Sequence, residues 1–209
     1  CNEAGPLTTQ ALQLSERSNY IAGKAEVLLL LSNCQLDKSL SLALNTAGES
    51  LELWQSLNDR LGMALAYRAI GYYQILQSNV IEATKNHEES LKIFREHNIV
   101  PEEAESLIYL GFIAYRLGAW DDCLSYLAQA QGLLDEQGEP FKMGQITATI
   151  GETFLENGLP EVARQKFELA SQYFSQAKDD RSVSVMTWNL GKVYYAQGNY
   201  QQALASQQQ

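Results

Sequence analysis

The sequence repeats itself every forty residues, and this period constrains the fold more than any other feature. A glycine marks each copy, at Gly71, Gly111, Gly151 and Gly191. Three further sets keep the same spacing: small residues seven positions after each glycine, small residues twelve positions after it, and bulky residues late in the unit. They are Ser78, Gly118, Gly158 and Gly198; Ala83, Cys123, Ala163 and Ala203; and Trp54, Phe94, Leu134 and Phe174. Four sets of residues that recur together every forty positions form aligned columns, and such columns predict a repeat protein.

Each unit contains two stretches with apolar residues at helical spacing. In one unit the first stretch runs through Leu107, Leu110 and Ile113 and ends at Gly118, where a tight turn costs little. The second begins near Trp120, with two aspartates in a first turn that favours negative charge. No stretch alternates as a strand does, so we predict an all-α chain. Its helix-turn-helix repeats form one domain, 1–209: a last helix of a preceding unit at 5–21, full repeats at 22–59, 60–99, 100–139 and 140–179, and a truncated repeat at 180–209.

The glycine column has a physical explanation in helix packing. A glycine inside a helix costs about 0.5–1 kcal/mol relative to alanine, so four glycines in register need a compensating role. Without a Cβ atom, the first helix of a unit can lie close to the second. We expect the small column at Ala83, Cys123, Ala163 and Ala203 to be the matching surface on the second helix.

The last copy carries a resemblance to a known family. The run NLGKVYYAQGNYQQAL, residues 189–204, has Leu-Gly, an aromatic residue three positions later, Gly-x-aromatic at the turn, and then Ala-Leu. The runs GFIAYRLGAWDDCL at 111–124 and GETFLENGLPEVAR at 151–164 are degenerate copies. This pattern resembles the tetratricopeptide repeat (TPR).

The resemblance covers residues 22–209 and implies a right-handed superhelical solenoid of antiparallel helix-turn-helix repeats. In such a solenoid the first helices line a concave groove. The unit is six residues longer than the usual repeat, which implies longer helices, as in the TPR-like units of many bacterial signalling proteins. The first unit is the least regular, since its glycine position falls on Leu31 or Ser32.

Both ends of the sequence lie inside a repeat. Residues 6–17 align with the second helix of an earlier unit, and the sequence stops within another second helix. Because solenoids normally close with polar capping helices, we expect the sequence to be a fragment of a longer protein.

Composition narrows the class of protein. The 209 residues are 45% hydrophobic with a net charge of −10, and no basic run is present, which argues against nucleic-acid binding. No apolar run is long enough for a membrane span. We expect a cytoplasmic protein, with a lipoprotein anchored through Cys1 as a minor alternative. Cys1, Cys34 and Cys123 show neither a disulfide framework nor zinc-ligand spacing.

The residues that could carry chemistry have structural explanations. Gly191–Lys192 lacks the spacing and the preceding strand of a phosphate-binding loop. His87 and His97 lie on different faces of one predicted helix, and His87 shares a column with Leu127 and Phe167, which predicts a partly buried packing residue. No nucleophile is paired with a base. We therefore predict no enzyme activity, no metal and no cofactor.

Function is expected in the groove. The first-helix face next to the glycine face, read at helical spacing, is rich in aromatic residues and carries three cations. The predicted partner-binding residues are Arg68, Tyr72, Ile75, Ile108, Phe112, Tyr115, Arg116, Glu152, Leu155, Trp188, Lys192 and Tyr195. An equal alternative is that half of them pack between adjacent first helices. A clamp for a C-terminal carboxylate is not matched, because Tyr72 and Phe112 stand where such a clamp has Asn.

These observations favour a non-catalytic protein–protein interaction module. The module would bind a peptide, a helix or a neighbouring domain of the same parent chain, as a regulatory part of a larger bacterial signalling protein. Two alternatives stay open. One is a self-association scaffold, such as a homodimer formed through uncapped ends, and the other is a sensor for a peptide or small ligand.

Overall fold

The computed structural model of the protein describes residues 4–134 and 139–207. This part of the chain forms eleven α-helices and no strand, so the all-α prediction is confirmed. The helices are α1 (Ala4–Arg17), α2 (Ile21–Gln35), α3 (Leu40–Ser56), α4 (Arg60–Leu76), α5 (Val80–Glu96), α6 (Val100–Arg116), α7 (Trp120–Leu134), α8 (Pro140–Glu156), α9 (Pro160–Gln176), α10 (Asp180–Ala196) and α11 (Tyr200–Gln207). Cys1, the lipidation alternative, lies outside the described residues.

The chain divides into two compact units, residues 1–106 and 107–209, with the boundary inside α6. In the first unit, each of α1 to α4 packs against the next helix in the chain, and α2 also contacts α4. In the second unit, the same holds from α7 to α11, and α8 also contacts α10. Each unit thus consists of antiparallel helix pairs, with the first helices of neighbouring pairs side by side. The single repeat domain stays a prediction.

Both kinds of turn use a residue in the left-handed region. Between the two helices of a repeat, φ is 60° at Ser78, 72° at Gly118 and Gly158, and 79° at Gly198. After Gly118, the Ala119 N–H donates to the Ala114 carbonyl at 2.9 Å, which closes the six-residue hydrogen bond of a Schellman turn. Between repeats, the left-handed residues in the described part of the chain are Asn19, Asn58, Asn98 and Lys178.

The predicted columns form the core of each unit. Ala83, Cys123 and Ala163 are completely buried, and the bulky column is at most 9% exposed at Trp54, Phe94, Leu134 and Phe174. In the second unit, Phe167 and Phe174 of α9 pack with Met186 and Val193 of α10. Apolar burial between consecutive helices therefore holds the repeats together.

The nearest side chains to the glycine column belong to a different column from the one predicted. A Cβ atom at Gly71 would lie 2.8 Å from the His87 ring, and one at Gly111 would lie 2.6 Å from Leu127. A Cβ atom at Gly151 would lie 2.8 Å from the Phe167 ring. The small column is buried, but it lies one helical turn earlier. The glycines therefore make room mainly for bulky side chains of the second helix, and at Gly111 the carbonyl oxygen of Cys123, from the predicted small column, is also 3.5 Å from the added Cβ atom.

Candidate functional site

The second unit brings nine of the twelve predicted groove residues onto three first helices. They lie on the part of α6 after residue 107, on α8 and on α10, and we call this surface the α6–α8–α10 face. It is defined by Ile108, Phe112, Tyr115, Arg116, Glu152, Leu155, Trp188, Lys192 and Tyr195. The assignment of these nine residues to partner binding stays a prediction.

Helix α10 presents a row of large, exposed side chains. Trp188, Lys192 and Tyr195 follow at helical spacing along one side of the helix. Trp188 is 50% exposed and Tyr195 is 68% exposed, while Lys192 is also exposed. The Tyr195 ring lies 5.5 Å from that of Tyr200, edge to face. A row of this kind offers a contact surface for a partner.

Glu152 of α8 occupies the middle of the face and is half-buried. The side-chain amide of Asn189, itself 2% exposed, donates a hydrogen bond to Glu152 Oε1 at 3.3 Å. Burial raises the pKa of the Glu152 carboxyl, Lys192 and the Asn189 hydrogen bond lower it, and Glu156 raises it, with a net increase. The effect of burial on the Glu152 carboxyl is therefore larger than the stabilisation by Lys192 and Asn189 together.

Tyr115 of α6 lies beside the same carboxylates. Burial, followed by the charges of Glu152 and Glu156, raises the pKa of its phenol to about 12. Its ring centroid is 5.8 Å from that of Trp120. On the same helix, the Arg116 guanidinium lies 6.0 Å from the centre of the Phe112 ring, which is cation–π distance. Aromatic rings thus lie beside ionised groups on this part of the face.

Several predicted residues pack rather than present a surface. Ile108 of the second unit is 8% exposed, and Ile75 of the first unit is 5% exposed. Arg68, predicted as a groove cation, forms ion pairs with Glu102 and, at 2.9 Å, with Glu105. Its guanidinium also lies 5.7 Å from the centre of the Phe94 ring. In the first unit, Arg68 therefore joins α4 to the start of α6.

The aromatic pair of α4 is also largely structural. The Tyr73 hydroxyl lies 2.8 Å from Ser32 Oγ and donates to Asn33 Oδ1 at 2.8 Å, so it joins α4 to α2. Tyr72, a predicted groove residue, is half-buried with its ring 6.0 Å from that of Tyr73. Leu155 of the second unit is likewise half-buried and packs on the α9–α10 core.

Two residues of the α6–α8–α10 face were not among the predicted site residues. Asn189 fixes the Glu152 carboxylate, and Glu156 adds a second carboxylate near Tyr115. The helical period could have found both, because Asn189 lies three residues before Lys192 and Glu156 lies four residues after Glu152.

The residues considered for chemistry have structural roles. His87 is completely buried against Gly71, and burial followed by the charge of Arg68 lowers its pKa to about 3. His97 is exposed and contacts the Ile93 carbonyl. Gly191 lies within α10 rather than in a phosphate-binding loop. Across residues 4–134 and 139–207, no three His, Cys, Asp or Glu side chains are grouped to hold a metal ion.

Within the same described ranges, every helix is too short or too polar to cross a membrane. Cys123 is buried, and its Sγ lies 3.4 Å from Thr153 Oγ1. Cys34 is half-buried. Neither thiol is in a disulfide in this structure.

No protein-family model matches the sequence, and no curated protein matches it. Several solved structures, in contrast, are similar to this chain. BtubC (BKLC) from P. vanneervenii has a TM-score of 0.80 at 18% identity, over 96% of this chain and 85% of BtubC. The Rap conjugation gene regulator of plasmid pLS20, solved in complex with the Phr* peptide, has a TM-score of 0.75 at 16% identity, over 92% of this chain and 53% of the regulator. YrrB, a TPR protein with an unusual peptide-binding site, has a TM-score of 0.55 at 20% identity, over 95% of this chain and 88% of YrrB.

These similarities concern the fold. The chain spans most of BtubC and YrrB but about half the length of the Rap regulator. Identities this low do not carry a binding site or an activity from one protein to another. The resemblance read from the glycine and turn columns is confirmed at the level of structure: this chain has the TPR-like fold of paired, repeated helices.

Proposed function

We propose that this protein is a non-catalytic interaction module that binds a peptide, or a segment of another protein, on the α6–α8–α10 face of the second unit. The observation that carries this proposal is the row on α10. Trp188 and Tyr195 are at least half exposed on either side of Lys192, on a helix that is otherwise packed through Met186, Asn189 and Val193.

The chemistry of the face suits recognition better than catalysis. Tryptophan, tyrosine and arginine contribute most of the energy in protein interfaces, and exposed Trp188 and Tyr195 lie near partly buried polar groups. Glu152, held by Asn189, supplies a fixed acceptor that can define the orientation of a bound chain. By analogy of fold, the Phr* peptide complex of the Rap regulator and the peptide-binding site of YrrB support a peptide ligand.

The proposal is tested by selecting short random peptides on the purified chain and measuring their affinity by fluorescence anisotropy. The double variant Phe112→Ala/Trp188→Ala removes two aromatic surfaces of the face. We expect selected peptides to bind this variant at least about tenfold more weakly, which is the loss typical of interface aromatic residues. Circular dichroism verifies that the helical content is unchanged.

A matched control truncates exposed apolar side chains away from the face. Ile81 of α5 is 68% exposed and Leu169 of α9 is 37% exposed. The double variant Ile81→Ala/Leu169→Ala should bind the selected peptides as the parent does. Equal binding by the parent and by Phe112→Ala/Trp188→Ala would show that the peptides do not bind on the α6–α8–α10 face.

A second candidate function is self-association. Tyr195, Tyr200 and Leu204 form an exposed apolar cluster on α10 and α11, at 68%, 65% and 59% exposure. Such a cluster can be covered by a second copy of the chain. Light scattering over a dilution series distinguishes the two functions, because a mass that stays monomeric at every concentration excludes association. The variant Tyr200→Ala/Leu204→Ala would dissociate a dimer while leaving peptide binding to Trp188 intact.

The regulatory role within a larger signalling protein, and the sensor role, are finer proposals of the same kind. Both require that a bound peptide changes the conformation of the chain. Small-angle scattering with and without a selected peptide measures such a change, and identical profiles would leave a binding module without a sensor function.

A further inference from the structure

The exposed aromatic residues of α10 stand at repeat positions that are covered on α8. Forty residues before Trp188 and Tyr195, α8 carries Ala148 and Leu155. Ala148 is buried and Leu155 is half-buried, and both pack in the cluster formed by α9 and α10. The next helix pair therefore covers this side of α8. The same side of α10 is exposed at Trp188 and Tyr195.

The equivalent positions of α6 give the same comparison. Ile108 is buried and Tyr115 is half-buried, each at the spacing of eighty residues from Trp188 and Tyr195. In the second unit, this side of a first helix is thus a helix-packing side, and on α10 it carries two large aromatic rings. A helix is the structure that this side meets elsewhere in the fold, so a helix is the expected occupant on α10.

The register of such a helix follows from two contacts between neighbouring first helices. In the first unit, Arg68 of α4 pairs with Glu105 of α6 at 2.9 Å, 37 residues later. In the second unit, Asn189 of α10 donates to Glu152 of α8 at 3.3 Å, again over 37 residues. Both contacts join a residue to the position three places earlier in the next copy of the forty-residue repeat.

This offset defines what a helix beside α10 would place against each residue. Lys192 stands forty residues after Glu152, so it would face the position equivalent to Asn189. Lys192 is exposed, and a carboxylate is the side chain that best pairs with an ammonium group. Trp188 and Tyr195 lie four residues before and three residues after Lys192, and would contact apolar residues on either side of that carboxylate.

We propose that α10 binds an amphipathic α-helix of a partner protein, which lies beside α10 as α10 lies beside α8. An acidic residue of this helix pairs with Lys192, and apolar residues three or four positions on either side of it pack on Trp188 and Tyr195. This inference rests on the proposed function, because it names the conformation and the chemistry of the segment that the α6–α8–α10 face binds. Helix recognition commonly uses apolar anchors at this spacing.

A second copy of the chain fits this position less well than an acidic helix. Helix α1 exposes Leu7 and Leu14, which have the required spacing, and both are more than 60% exposed. The residue between them that would face Lys192 is Gln10, which carries no charge. The charge of Lys192 therefore favours a partner helix over α1 of a second copy.

The experiment selects binders from a library of alanine-based peptides of about 18 residues, which are long enough to form a helix in isolation. Positions along one face of the peptide are randomised, and affinity is measured by fluorescence anisotropy. We expect the selected peptides to carry an acidic residue flanked by apolar residues at the stated spacing. The variant Trp188→Ala/Tyr195→Ala should bind them at least about tenfold more weakly.

A charge exchange tests the pairing with Lys192. The variant Lys192→Glu should bind the selected peptides roughly tenfold more weakly than the parent does. Replacing the acidic residue of the peptide by lysine should restore binding to Lys192→Glu while weakening binding to the parent, which is the signature of a direct pair. The matched control is Lys92→Glu, which makes the same charge change at an exposed residue of α5 and should bind as the parent does.

The conformation of the ligand is tested separately. A proline at a peptide position away from the binding face breaks the helix, and it should weaken binding by about a hundredfold. Circular dichroism of the peptide verifies the loss of helix, and circular dichroism of each chain variant verifies that its fold is intact.

The outcomes distinguish this inference from the proposed function. Binders that tolerate the proline and Lys192→Glu, but are weakened by Phe112→Ala/Trp188→Ala, would overturn the helix inference and keep the binding face. A chain that dimerises, becomes monomeric as Leu7→Gln/Leu14→Gln and selects no helix would assign the position to a second copy, which also overturns the inference. If no peptide of either library depends on Trp188, both proposals fail.

Discussion

At the scale of single residues, His87 makes the stability of the fold depend on pH. The ring is completely buried and burial lowers its pKa to about 3, against 6.5 for an ordinary histidine. Between these values the unfolded chain binds a proton that the native state does not, so stability falls as the pH decreases. The slope for one such group is about 1.4 kcal/mol per pH unit.

The variant His87→Leu tests this dependence, because Leu127 occupies the same column against Gly111. At pH 7.5 the free energies of unfolding of the two proteins should agree within about 1 kcal/mol. At pH 5 the variant should be more stable by about 2 kcal/mol, since only the parent's unfolded state gains the proton. Urea unfolding at both pH values measures the difference, and parallel pH profiles would show that His87 does not titrate in this way.

Lys178 adopts a backbone conformation that favours glycine. Its φ is 58°, in the left-handed region, at the junction between α9 and α10. Lys178→Gly should raise the free energy of unfolding by about 1 kcal/mol, because a side chain in this region is strained. The neighbouring Ala177, with φ of −75°, provides the control: Ala177→Gly should lower stability by about 0.5–1 kcal/mol. Chemical denaturation ranks the three proteins, and the opposite order would contradict the turn geometry.

At the scale of helices, two glycines give opposite predictions for the same substitution. A Cβ atom at Gly111 would lie 2.6 Å from the buried Leu127, whereas one at Gly132 of α7 meets no atom within 4 Å. Gly111→Ala should therefore lower the free energy of unfolding by about 1–3 kcal/mol through overpacking. Gly132→Ala should raise it by about 0.5–1 kcal/mol through helix propensity. Thermal unfolding of both variants checks this, and a stabilised Gly111→Ala would mean that α6 and α7 separate easily.

The elements were predictable from the sequence because their signals are local. Gly118 and Trp120 define a turn and a helix start within three residues, and the period of forty repeats that information. The contacts of the site were harder to predict. Arg68 pairs with Glu102 and Glu105, more than thirty residues away, and the burial of Ile75 depends on how neighbouring helices approach. Helical spacing places a residue on a face, but not its distance from the next repeat.

The same limit applies to the glycine column. The sequence predicted that four glycines permit close packing, and the period identified the second helix as the partner. It did not predict that His87, Leu127 and Phe167 fill the space, since the relative offset of two antiparallel helices is set by the turn geometry. A shift of one helical turn replaces the small column by the column of His87, Leu127 and Phe167.

At the scale of the whole molecule, the net charge of −10 predicts opposite effects of salt on folding and on binding. Raising the NaCl concentration from about 0.01 M to about 0.15 M shortens the screening length from about 30 Å to about 8 Å. Self-repulsion of the native state then weakens, while exposed ion pairs such as Lys85–Glu82 contribute little in either condition. We therefore expect the melting temperature to rise by a few degrees.

Binding of a basic peptide should respond in the other direction, because screening reduces the long-range steering of a basic peptide toward the acidic chain. Over the same salt range we expect its affinity for the parent chain to fall several-fold, mainly through slower association. Stopped-flow anisotropy and calorimetry on the same samples measure both effects. If salt left the affinity unchanged while the melting temperature rose, the net charge would govern folding alone, and recognition would rest on the aromatic residues of the face.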